Sequence, residues 1–100
     1  MSAPALVEAV RAALRGVVDP ELGLDLVSLG LVRAIDVLDG PAGARVRVIH
    51  TLTTPGCPLE SFLGEAISAA AASVDGVAEA ESVLVWDPPW HPGLIEEGLL

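Results

Sequence analysis

Between Arg45 and Val74 the apolar residues change their period, and the change falls on six residues. From Arg45 to Thr53 side chains alternate: Val46, Val48, His50 and Leu52 share one side, and Arg45, Arg47, Ile49 and Thr51 share the other. From Leu59 onward the apolar residues Leu59, Phe62, Leu63, Ala66, Ile67, Ala70 and Val74 recur at helical spacing. A period of two belongs to a strand with one buried face, and a period of 3.6 to a helix with one apolar stripe. Thr53-Thr54-Pro55-Gly56-Cys57-Pro58 is therefore a strand-to-helix junction, with Pro58 at the first helical position, where a missing N–H costs nothing. Asp75-Gly76 stops the helix. Val77 to Trp86 reads as another strand, with Ala80, Ser82, Leu84 and Trp86 toward the helices. A strand, a helix and a strand joined in that order make a right-handed crossover, so these two strands are expected to be parallel.

The residues before Arg45 add two elements. Leu6, Val7, Val10, Leu14 and Val17 recur at helical spacing, with Ser2 as a cap, and predict a helix over 3–15. Pro20 pushes Asp19 out of helical geometry, so Val18–Gly23 is a turn that runs into a loop through Gly30. Leu31–Leu38 predicts a strand, and Asp39–Gly43 a hairpin loop. The order is α-β-β-α-β. The expected fold is a two-layer α+β domain over residues 1–100, with two helices on one face of a small mixed three-stranded sheet. Periodicity leaves the strand order open. After Pro88-Pro89 the tail predicts one short helical turn at most.

Composition narrows the function classes. The chain is 52% hydrophobic but only 3% aromatic. Small side chains make a thin core, which a homodimeric contact would supplement. The net charge is −9, with five arginines and no lysine. Phosphate binding needs clustered cations, so nucleic acid is excluded as a partner, and an anionic membrane surface with it. Other proteins or cationic groups suit this charge. A single cysteine gives no internal disulfide. The N-terminus has no basic region leading into an apolar run, and no stretch of about 18 apolar residues occurs. The expected location is cytoplasmic.

Cys57 is the first candidate for chemistry. As N-cap of the second helix, its sulfur would lie near free backbone N–H groups and the positive end of the helix dipole. That setting favours the thiolate over a free thiol of pKa about 8.5. Glu60, at the third helical position, can reach back to the cap and works against it. A buried structural cysteine is the competing account. Asp19 and Glu21 form the second candidate, an acidic turn bordered by Val17, Val18 and Leu22; ordinary Asp-Pro turn chemistry competes. Thr53 and Thr54 could hydrogen-bond a ligand or the helix end. His50 sits on the apolar side of its strand, where a satisfied core histidine is the usual case. Pairing it with Cys57 would describe a thiol-dependent enzyme, with Cys57 as nucleophile and His50 or Glu21 as base. One cysteine and two separated histidines do not make a closed metal site.

Five segments together resemble a known family. They are Asp19-Pro20-Glu21-Leu22-Gly23, Val27-Ser28-Leu29-Gly30-Leu31-Val32, Thr51–Pro58, Gly76-Val77 and Trp86-Asp87-Pro88-Pro89-Trp90, in that order. This pattern resembles the small iron–sulfur cluster assembly proteins called SufT-like or PaaD-like, from about residue 5 to residue 92. The resemblance implies the α-β-β-α-β fold. It also implies an accessory role in maturing iron–sulfur proteins without enzymatic turnover. Cys57 would be the reactive residue, with Asp19, Glu21, Thr53 and Thr54 gathered around it. The implied cargo is a transient iron–sulfur cluster, and the implied partners are the assembly machinery and apo client proteins. A PaaD-like role beside an aromatic-ring oxygenase is the variant, although the cysteine-rich C-terminal segment of some such relatives is absent. His50 departs from the family pattern, as a tolerated core residue or an added ligand. Clusters take about four cysteine ligands. Cys57 would therefore share its cargo with a second copy, a partner protein or a small thiol.

Overall fold

A computed structural model describes residues 2–55 and 59–96. Helix α1 runs over Ala3–Leu14, strand β1 over Val32–Gly40, and strand β2 over Gly43–His50. Helix α2 follows at Leu59–Ala72, then strand β3 at Val77–Leu84 and a 3-10 turn at Pro92–Leu94. The sheet order is β1-β2-β3, with β1 antiparallel and β3 parallel to the central strand. The parallel pair is the one the crossover argument requires. Both β1 and β3 are edge strands.

α1 begins where its cap predicts. Ser2 is extended, and its hydroxyl accepts from the Ala5 N–H at 3.3 Å. Leu6, Val10 and Leu14, each four residues on, are buried. In α2 the buried positions are Leu63, Ile67 and Ala71. These two stripes meet Val46 and Val48 of the central strand in one core that also takes in Leu26, Leu29, Leu31 and Leu52. Both helices thus cover the same face of the sheet, as expected.

Register arranges that face in rows across the three strands. Val37, Val46 and Ala80 form one row, Ile35, Val48 and Ser82 the next, and Val32, His50 and Leu84 the last. The opposite face carries Asp36, Arg47 and Glu81 in one row and Leu38, Arg45 and Glu79 in another. There Arg47 reaches Glu81 at 2.6 Å and Arg45 reaches Glu79 at 3.5 Å. Among the described residues no helix covers this side, and its two arginines are each paired with a glutamate of β3.

Three local expectations need correction. The hairpin loop is Pro41-Ala42 alone, because Gly40 pairs with Gly43 and the ladder continues to the turn. Phe62 is not part of the buried stripe: it is 61% exposed. The helix is rotated so that Leu63, Ile67 and Ala71 point inward, which leaves Phe62 on the outer flank. Trp86 lies past the end of β3 and is 40% exposed, rather than packed under the helices.

Candidate functional site

The C-terminal end of β2 leads into the strand-to-helix junction, and several loops converge there. Leu26 N–H donates to the Val17 carbonyl at 2.9 Å, and Leu31 N–H to the Leu26 carbonyl at 3.0 Å. Thr51 N–H then donates to the Leu31 carbonyl at 2.9 Å. These successive backbone bonds tie the acidic turn after α1 to the segment that carries Thr53 and Thr54. Cys57, with Gly56 and Pro58, lies outside the described residues.

Asp19 is 1% exposed. Its carboxylate accepts from the Glu21 N–H at 2.8 Å and more weakly from the Leu22 N–H at 3.4 Å. Its own N–H donates to the Leu24 carbonyl, and its carbonyl accepts from Gly23 at 2.8 Å. Gly23 closes this loop at φ +72, which a side chain would resist. Asp19 is therefore the internal organiser of the turn, an Asx arrangement. Glu21 stands exposed on the same turn. Thr53 is half-buried and Thr54 exposed. Among the described residues, no hydrogen bond joins Asp19 or Glu21 to either threonine.

Sequence reasoning missed a concentration of unsatisfied groups at this same end. His50 is 1% and Thr51 0% exposed. Among the described residues, both His50 ring nitrogens, the Thr51 hydroxyl and the Arg33 Nε are buried without a hydrogen-bond partner. Arg33 is the bulged residue between Val32 and Ala34, next to the row that contains His50. Buried polar groups normally find partners, so an orphaned set at one strand end marks a place where packing alone is not optimised. His50 is a core histidine, as its strand position suggested, but not a satisfied one: Val32 and Leu84 flank it in the sheet. Burial pushes its imidazole below the ordinary 6.5, and the Val48 backbone, which makes no well-formed hydrogen bond to the ring, offsets this only in part. The ring is therefore neutral near pH 7.

A second missed feature braces the loop behind the site. Asp25 accepts from the Ser28 hydroxyl at 2.5 Å and from the Ser28 N–H at 2.9 Å. Arg15 donates to Ser28 at 3.2 Å and to Glu96 at 2.8 Å. Burial opposes the Asp25 charge, but the Ser28 bonds and the Arg15 guanidinium outweigh it and hold the carboxyl below its ordinary value. The C-terminal segment lies across this loop: Trp90 Nε1–H donates to the Leu29 carbonyl and Glu96 N–H to the Ser28 carbonyl, both at 2.7 Å. Gly30 makes the approach feasible. It has φ +74, and a Cβ there would stand 2.3 Å from the Leu94 carbonyl oxygen.

A cleft of about 490 Å³ opens between α2 and β3, with His50, Ser82 and Leu84 on the strand side. Ser82 donates its hydroxyl to the Gly64 carbonyl of the helix at 3.0 Å. The serines at 61 and 68 and the glycine between them recur along one side of α2, a signal that was readable in advance. Among the described residues, no three His, Cys, Asp or Glu side chains are grouped to hold a metal ion. No helix there is long and apolar enough to cross a membrane.

Known proteins resemble this chain in sequence and fold. The family described as iron–sulfur cluster assembly protein matches residues 7–82. The Fe-S protein maturation auxiliary factor YitW of Bacillus subtilis is 41% identical over 86% of this chain and 81% of its own length. The Fe-S protein maturation auxiliary factor SufT of Staphylococcus aureus is 38% identical over 74% of this chain and 81% of its own. A crystal structure of a domain of unknown function from Bacillus anthracis superposes with a TM-score of 0.80 at 33% identity. It covers 94% of this chain and 87% of that one.

Proposed function

The chain belongs to the iron–sulfur cluster assembly protein family, and on that premise we propose that it is an accessory factor in the maturation of iron–sulfur proteins, acting through Cys57. The single observation that supports this most is the extent of the family match, which runs from α1 to β3 and takes in the acidic turn and the Thr53–Pro58 junction. Assembly machinery and apo client proteins are the partners of such a factor.

The donor set decides how cargo is held. The chain has one cysteine, and a cluster takes about four thiolate ligands. Cys57 therefore supplies one bond, and a client, a second copy of this chain or a small thiol completes the coordination. A ligand shared in this way is released as readily as it is taken, which suits delivery better than storage. Asp19 holds the acidic turn in shape, Glu21 offers an exposed carboxylate beside it, and Thr53 and Thr54 line the approach to the junction.

The test is reconstitution with iron and sulfide, followed by transfer to an apo client and read by visible absorbance and client activity. Wild type accelerates transfer and Cys57→Ala does not. Equal transfer by the two proteins would remove Cys57 from the mechanism.

A further inference from the structure

The cleft between α2 and β3 has a lining that the maturation role leaves unused. Ser61, Gly64 and Ser68 form its helix wall, Ser82 its strand wall, and His50 its buried end. A stripe of small residues alone marks nothing. Here it meets an imidazole that is 1% exposed and whose nitrogens both lack a hydrogen-bond partner among the described residues. The Ser82 hydroxyl has spent its proton on the Gly64 carbonyl, so its oxygen remains an acceptor. Glu60 and Glu65 stand on the same helix wall.

The chemistry of these groups selects the occupant. An anion would be repelled by the carboxylates. An apolar side chain would leave the hydroxyls and the imidazole unsatisfied. A metal ion would need a grouping of donors that the described residues do not contain. What fits is a cation that donates hydrogen bonds: serine oxygens and a neutral imidazole nitrogen accept, and the exposed Glu65 carboxylate attracts. The χ2 angle of a histidine is broad, and contact with such a donor requires the buried ring to turn a nitrogen toward the cleft. A cleft of about 490 Å³, open along one side, holds one long side chain and its adjoining backbone. All five arginines of the chain itself are engaged within it, four with carboxylates and Arg33 with the Pro88 carbonyl.

We infer that this cleft is the docking groove for a basic segment of a partner protein, one of whose arginine or lysine side chains enters between α2 and β3 and donates to His50. The inference rests on the maturation role, because it gives that role a means of engaging a partner close to the junction. It also accounts for a histidine on an otherwise apolar strand face.

The test uses the full chain and a short blocked peptide, acetyl-Gly-Arg-Gly-amide, with its glutamate counterpart as control. Ring-nitrogen NMR of His50 and the amide signals of α2 report binding. The arginine peptide shifts the His50 nitrogens together with Gly64 and Ser68, and the glutamate peptide does not. Glu65→Gln, an exposed change that leaves the fold alone, weakens binding by about two- to fivefold. Ser68→Trp fills the groove and abolishes binding. The inference is overturned if the His50 nitrogens stay unmoved at saturation, or if both peptides bind alike. It is overturned equally if putrescine competes at the peptide's own concentration, which would mark a free amine as the ligand. Cluster transfer by wild type is run alongside. Transfer without peptide binding removes the groove and leaves the maturation role standing; peptide binding without transfer does the reverse.

Discussion

His50 costs the folded chain stability. Its neutral ring keeps a donor and an acceptor out of water with no well-formed hydrogen bond among the described residues, a penalty of about 1–3 kcal/mol. His50→Leu, which matches the apolar row of Val32 and Leu84, is therefore expected to be no less stable than wild type at pH 7. The pH dependence is the sharper measurement. Burial lowers the folded pKa below 6.5, so the unfolded chain binds its proton first as pH falls. Wild type then loses stability from about pH 6.5 downward until the lower folded value is passed. Urea denaturation at several pH values between about 7 and 5 should show that loss in wild type and a flatter profile in His50→Leu. Asp25 acts in a separate window, because its lowered pKa gives stability that is present above 3.8 and lost below it. The burial of His50 was legible from strand alternation. Its lack of partners was not, because they are withheld by residues that two other strands bring alongside.

The phase of α2 is the clearest test of how its elements pack. Ile67 is 0% exposed and Phe62 is 61% exposed, although both belong to the same apolar pattern. Ile67→Ala should cost about 2–5 kcal/mol through lost burial and the cavity it leaves. Phe62→Ala should stay within about 0.5 kcal/mol. Thermal or urea denaturation of the pair separates them, and similar losses would mean a different rotation of the helix. The existence of α2, and the parallel pairing of β2 with β3, could be read directly from the change of period between Arg45 and Val74. The rotation could not. Seven apolar residues mark a stripe wide enough to include Phe62, while the run Ala69–Ala72 gives no contrast by which Ala71 could be told from Ala70 as the buried position. The five-residue hairpin loop failed for a related reason: Gly40 and Gly43 look like turn residues but pair across the ladder. At the site, Asp19 was legible as a turn former. That its carboxylate is spent on the backbone of its own loop depends on Glu21 and Leu22 folding back toward it.

On the scale of the molecule, the C-terminal segment is a brace. Trp90 and Glu96 hold the loop at Ser28-Leu29, that loop leads to Leu31, and Leu31 receives the Thr51 N–H. Trp90→Phe keeps the ring but removes the bond to the Leu29 carbonyl. It should lower stability by about 0.5–1.5 kcal/mol and speed hydrogen exchange at Leu31 and Thr51 more than at Val10 in α1. Uniform exchange changes would show that the brace serves the whole fold and not this end of it. The Trp90 and Glu96 contacts link residues 61 and 68 positions apart in sequence, so no local pattern announces them. Charge is also a whole-molecule property. The net charge of −9 already counts the five arginines, and association with a basic partner should weaken steeply with added salt.

A sheet with two open edges invites growth by strand addition. Here one edge strand carries Asp36 and Asp39 and the other Glu79 and Glu81. Two copies approaching β1 to β1 would bring Asp36 and Asp39 against their counterparts, whereas Glu79 and Glu81 on the other edge are paired with Arg45 and Arg47, so strand addition is disfavoured more at β1 than at β3.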